Sequence, residues 1–173
     1  MTLSRPHSDT PPYDIKGLAN LFLDWADEDG IPITPMKIQK ILYFSHADYL
    51  QITGTPLASQ SFEAWDFGPV DPSVFEEFRR FSKAPIQERA YRFDPIAGKR
   101  VLAKIAPCGG DLKILRSLYN FYKRASATAL SDMSHDPNGP WAMARHLFEQ
   151  GKNADRRMSD KLIVSYHQSN RPS

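Results

Sequence analysis

One cysteine, Cys108, is all the thiol chemistry the chain offers. A single thiol excludes an intramolecular disulfide and a four-cysteine zinc site, and it fits a reducing compartment. Charge of one sign is also missing: 22 Lys and Arg stand against 20 Asp and Glu, for a net +2. That balance lacks the basic footprint of a nucleic-acid binder, so nucleic acid is not an expected partner. No apolar run approaches the roughly 18 residues needed to span a bilayer, and no membrane association is expected. Residues 1–12 (MTLSRPHSDTPP) are polar and Pro-rich, without the apolar segment of a signal peptide. The expectation is a cytoplasmic chain.

Catalytic signatures are equally scarce. There is no Gly-rich phosphate loop, no H-E-x-x-H and no G-x-S-x-G. None of the five histidines (His7, His46, His135, His146, His167) lies three to five residues from another or from Cys108. Local metal-ligand spacing is therefore absent, and neither metal nor cofactor is expected. Two enzymatic or regulatory alternatives stay open. One is a small hydrolase using Cys108 or His135 with His46 as base; it requires those side chains to converge. The other is a DNA-binding regulator, although no basic module and no clear helix-turn-helix is present. Asp66 and Asp71 flank F-G-P-V as a possible acid–base pair, but Asp71 before Pro72 reads better as a helix N-cap.

What is there is helical periodicity. At 173 residues the chain suits one domain, able to bury roughly two thirds of its unfolded surface. Residues 1–13 read as a disordered lead, 14–168 as the domain and 169–173 as a flexible tail. Asp14 caps a first helix whose inner face carries Ile15, Leu18, Ala19, Phe22, Trp25 and Ala26, with Lys16, Asn20, Asp24 and Asp27 opposite; Gly30 ends it. Thr34-Pro35 opens a helix over about 35–52. It is apolar nearly all round, with Ile38, Ile41, Leu42, Ser45, Tyr49 and Ile52 in one stripe and only a narrow strip around Lys40, Ala47 and Gln51 free. Such a helix is central. The spacing then predicts a short strand over 61–66, a turn at Phe67-Gly68-Pro69-Val70 and a helix from Asp71-Pro72 to about 82. A hairpin or a loose excursion follows over 88–105, then helices over about 111–126 and 127–133, one from 140 or 141 to about 150, and one from 159 to 168. The helix over 111–126 should face inward with Leu112, Leu115, Leu118, Phe121, Tyr122 and Ala125. The fold class is mainly α: a compact single-domain helical bundle around a central buried helix, with a small β element.

Gln39 and His46 lie beside Tyr43 and Leu50 on the second stripe of the central helix. Buried polar groups require partners. Two readings stand: a core network that orients Trp65 or the F-G-P-V turn, or a polar patch at the edge of a partner groove. Lys37 and Lys40 stand near a helix N-terminus, either as a solvated strip or as anion contacts. Aromatics make up 12% of the chain, and most must fill the core. Trp65 and Phe67 beside a Gly-Pro turn are the candidates for a surface anchor.

The stretch Pro35-Met-Lys-Ile-Gln-Lys-Ile-Leu-Tyr-Phe-Ser-His46 resembles a known signature, as do Phe62-Glu-Ala-Trp65, Phe67-Gly-Pro-Val70, Ser134-His135 and Pro140-Trp141. Together they are similar to the Panacea domain family of SocA-like antitoxins and phage-associated GepA-like proteins. Ser45 stands where the family commonly has Ala, and 83–110 matches nothing in the signature. The resemblance implies a bacterial or phage antitoxin that binds a cognate toxin encoded beside it. For a member acting as adaptor it implies a cytosolic protease as a second partner. The expected contact residues are Lys37, Lys40, Trp65, Phe67 and Pro69, together with 83–110. The expected structural polar network is Gln39, His46, His135 and Trp141. The sequence carries no signal for oligomeric state.

Overall fold

Asp14 accepts the Lys16 and Gly17 amides and so starts α1 (Ile15–Asp29), and Gly30 in the left-handed region ends it. Thr34 caps α2 (Pro35–Thr53), which closes at Gly54. A tight hairpin of β1 (Phe62–Trp65) and β2 (Gly68–Val70) leads into α3 (Pro72–Phe78), capped by the Asp71 side chain. A 3-10 turn (Arg79–Phe81) extends it. A second hairpin, β3 (Tyr91–Asp94) and β4 (Lys99–Leu102), precedes α4 (Gly109–Tyr122), α5 (Ala127–Ser134) and α6 (Pro140–Glu149). The chain finishes with β5 (Arg157–Met158) and α7 (Asp160–Ser169). This computed structural model describes residues 10–59 and 61–169. The expected tail lies outside that range apart from Ser169, as do the first nine residues of the expected lead.

The architecture is mainly α with two small antiparallel sheets, ordered β2-β1-β5 and β3-β4. The central helix is α2, touched by α1, α3, α4, α5, α7 and β2. That ring of neighbours is why its sequence is apolar on nearly every side. Ile38, Ile41, Leu42 and Tyr49 are buried along it, each contributing about 1.5–3 kcal/mol. Tyr13, placed at the end of the expected lead, belongs to the core instead. It is fully buried, its amide donates to Leu57 O at 2.7 Å and its hydroxyl to Asp111 Oδ2 at 2.5 Å. Tyr49 donates to the other oxygen of the same carboxylate at 2.8 Å. Two phenols on one carboxylate thus tie the N-terminal segment and α2 to the start of α4.

Several expectations need correction. Ile52 is 62% exposed, because the last turn of α2 projects past the bundle. Gly68–Val70 is a strand, and the reversal is made by Asp66 and Phe67. On α4 the buried face is Leu115, Leu118, Tyr119 and Tyr122, at i, i+3, i+4 and i+7; Leu112 and Phe121 are exposed. Phe121 sits off that arc and meets Tyr122 edge-on. Strand β5, two residues long and paired as Phe62↔Met158 and Glu63↔Arg157, is too short to show a period.

Asn20, expected on the outer face of α1, is buried beneath the β3–β4 hairpin. Its side chain donates to Ala90 O and Ala103 O at 2.9 and 2.8 Å and accepts from Ala90 N at 2.8 Å. The second hairpin is therefore fastened at its base by one amide. Asn20→Ala should orphan Ala90 N and Ala103 O, while Ala90 O keeps the Ala103 amide, and cost about 3 kcal/mol. The expected outcome is a lower urea midpoint, with amide exchange accelerated most across 90–103.

Candidate functional site

The segment from Ala64 to Asp71 is held almost carbonyl by carbonyl by side chains from three helices. Arg145 on α6 reaches Ala64 O at 3.3 Å. Trp141 Nε1 donates to Trp65 O at 2.7 Å. The His135 ring sits between Ser131 O at 2.5 Å and Asp66 O at 3.2 Å, edge-on to Trp141. Ser131 Oγ donates to Phe67 O at 3.0 Å, Lys40 Nζ to Pro69 O at 2.9 Å and Gln39 Nε2 to Asp71 O at 3.0 Å. Asp71 N donates back to Gln39 Oε1 at 2.8 Å, while the Asp71 carboxylate accepts Ser73 Oγ and Val74 N. One clamp therefore fixes both the turn and the start of α3.

Gly68 is required in this clamp. Its φ is +103°, and a Cβ there would lie 2.5 Å from Ser134 Oγ and 3.0 Å from Lys40 Cε. Only glycine combines that backbone with that proximity. The fixed turn leaves Phe67 70% exposed and turns Trp65 against Phe75 at 5.0 Å between ring centroids.

Between the first turns of α2, the β1–β2 turn and α3 lies an open groove of about 730 Å³. Its walls include Met36, Trp65, Phe67, Val74 and Phe75, with Gln39 and Lys40 at α2 and Arg79, Lys83 and Arg156 also on the lining. The volume is that of a small-ligand or short-segment site.

The expected contact residues divide. Trp65, Phe67 and Lys40 line the groove. Lys37 does not; its ammonium donates to Lys123 O at 2.6 Å, at the end of α4. Lys40 and Pro69 are not surface groups, since Lys40 is 1% exposed and Pro69 is buried. The β1–β2 hairpin folds over the strip of α2 that looked free, converting Lys40 from a solvated lysine into a buried one. Of residues 83–110 only Lys83 lines the groove. The β3–β4 hairpin is instead held toward α3 by Glu77, which pairs with Arg100 and Lys16.

The four polar residues also divide. Gln39, His135 and Trp141 converge on 65–71. His46 does not: its Nδ1 accepts Ala58 N at 3.2 Å, which leaves Nε2 as the donor to Asp160 Oδ1 at 2.7 Å. That imidazole joins the segment before β1 to the first turn of α7. Cys108 is exposed at the start of α4, so His46, Cys108 and His135 serve three separate neighbourhoods, without the contact a nucleophile–base pair needs. Among the described residues no group of three or more His, Cys, Asp and Glu is placed to hold a metal ion, and no helix is long and apolar enough to cross a membrane. Sequence reasoning missed Ser131, Arg145, Arg79 and Arg156, and reached Lys83 only as part of 83–110. Ser131 and Ser134, three apart on one face of α5, were the readable signal for the first; the others come together only through the tertiary fold.

The fold and groove thus define a helical protein built around a clamped, aromatic-bearing turn. Residues 38–142 match the family model described as antitoxin SocA-like, Panacea domain. A curated relative, antitoxin SocA of Caulobacter vibrioides (strain NA1000 / CB15N), is 35% identical over 157 residues, covering 90% of this chain and 82% of that protein. The chain belongs to the SocA-like Panacea domain family. No solved structure matches it.

Burial lowers the Lys40 ammonium from its ordinary 10.5 to about 8. Above that pH the folded chain releases a proton that the unfolded chain keeps up to about 10.5, so the unfolded state binds more protons and stability must rise with pH. The expected gain from Lys40 is about 1 kcal/mol between pH 8 and 9. From a little above pH 9 the sign reverses, because burial and carboxylate hydrogen bonds hold the Tyr13, Tyr43, Tyr49, Tyr119 and Tyr122 hydroxyls protonated in the fold while the unfolded chain loses those protons around their ordinary value of 10. Lys40→Met should lose most of the rise, with the partly buried Lys37, lowered by the same cause, supplying the remainder. Urea titrations at pH 7, 8, 8.5 and 9 check the rise, and one at pH 10 checks the reversal.

Proposed function

We propose that this chain is an antitoxin that neutralises a toxin encoded by a neighbouring gene through direct protein–protein contact, made at the groove beside the β1–β2 turn. Family membership supports the antitoxin half of this reading. One observation carries the other half: Phe67, 70% exposed, is borne on a backbone whose flanking carbonyls are fixed by Trp141, His135, Ser131 and Lys40. A large apolar side chain on a rigid turn is an anchor whose ordering cost has already been met by folding. Trp65 and Phe75 next to it extend the apolar surface into the groove.

Co-expression with the adjacent gene tests the reading. The neighbour should arrest growth alone, and this chain should restore growth and co-purify with it. A harmless neighbour that does not bind would reduce the family likeness to a likeness of fold. Phe67→Ala should weaken the complex by about 2 kcal/mol, roughly thirtyfold, while leaving the melting temperature nearly unchanged, because the ring is exposed. Trp65→Ala should lower both, since its ring also packs on Phe75. A Phe67→Ala protein that melts early and loses binding in proportion would show the residue to be structural.

A further inference from the structure

The groove has a charge pattern that the rest of the chain does not share. Its lining carries four cations, Lys40, Arg79, Lys83 and Arg156, against one carboxylate, Asp66, a net of +3 where the whole chain carries +2. The single carboxylate is occupied: Arg145 meets Asp66 Oδ1 at 2.9 Å and Arg156 approaches it at 3.9 Å. Arg79 pairs with Glu76 at 3.1 Å, but both side chains are 62% exposed, and such a pair holds its partner weakly. Lys83 is exposed and has no hydrogen-bond or ion-pair partner among the described residues. Lys40 sits beneath Gly68 and Pro69 with a main-chain carbonyl, not a carboxylate, on its ammonium. Between these cations the walls are apolar, with Trp65, Phe67, Val74 and Phe75.

Resting on the antitoxin reading, we infer that the groove takes a short segment of the toxin in which an aromatic or large aliphatic side chain is flanked by carboxylates. The apolar anchor fills the space between Phe67 and Phe75, and the carboxylates meet Lys83, Arg79 and Arg156 at the rim. Charge complementarity selects this occupant. A basic segment would face an excess of like charge, with only Asp66, already bonded to Arg145, to receive it, and a purely apolar one would leave Lys83 without a partner and Arg79 and Arg156 with only their weak surface pairs. Rim charges act chiefly on the rate of encounter and on its salt dependence, whereas the buried anchor governs the lifetime of the complex.

The test uses the full chain and the toxin purified as the product of the adjacent gene. Binding is measured by surface plasmon resonance at low and high salt for the wild type, Arg79→Glu/Lys83→Glu, Arg79→Gln/Lys83→Gln and Phe67→Ala. Both cations are exposed, so the melting temperature should hold in every charge variant. The expected result is an affinity loss of about tenfold or more for the Glu pair, smaller for the Gln pair, carried mainly by the association rate and shrinking at high salt. Glu-pair binding equal to wild type would overturn the acidic segment. If Phe67→Ala still loses binding in that case, the groove remains the interface and the segment is simply apolar. If Phe67→Ala also binds as wild type, the interface lies elsewhere. A toxin that does not bind the wild type removes the antitoxin reading, and this proposal with it.

Discussion

The structure depends on one constraint: the backbone from Ala64 to Asp71 must be satisfied by side chains rather than by a sheet. Strand β2 has three residues and contains a proline, so its ladder supplies few bonds. A buried carbonyl without a partner is costly. Five carbonyls here accept from Gln39, Lys40, Ser131, Trp141 and Arg145, and His135 Nε2 lies 3.2 Å from the sixth, Asp66 O. Because those donors come from α2, α5, the turn after α5, and α6, the turn can be made only when the helices are already in place. The tightest local feature is thus also the one most dependent on the whole fold.

Lys40 shows what that arrangement costs. An ammonium without a carboxylate partner in a protein interior opposes folding, and its acidity is shifted by burial. The compensation is positional. Its stem lies against Gly68, its head fixes Pro69 O, and the turn it supports presents Phe67. A neutral residue of the same length would pack, but it would leave the carbonyl unpaired and take positive charge away from the groove.

Much of the fold could be read in advance. Asp14, Thr34 and Asp71 cap as their side chains allow, Gly30 and Gly54 close helices in the left-handed region, and an all-round apolar α2 had to be central. Two of the readings that failed share a cause. Lys40 and Asn20 occupy positions that are outward on an isolated amphipathic helix, and both are covered by hairpins arriving from elsewhere in the chain. Periodicity reports which face of a helix is apolar; it is silent about a backbone that settles on the polar face and is recognised through its own amides. For the same reason Gln39 was legible as a residue in need of a partner, while the partner, the Asp71 main chain, was not. His46 was legible as buried and polar but serves α7 rather than the turn. The groove's cations were legible only as individual charges, since Arg79, Lys83 and Arg156 become neighbours through β5 and α3.

The way Asn20 holds the second hairpin has a consequence for how this surface can diversify. The amide grips Ala90 and Ala103 through main-chain atoms alone, so the attachment is indifferent to the side chains that lie between them. Twelve residues pair or turn beyond that base, and Phe93 and Ile96 among them are largely exposed. Replacing, lengthening or grafting the tip would leave the fastening chemistry untouched. The hairpin is a socketed module: the scaffold specifies where it plugs in and leaves open what it displays.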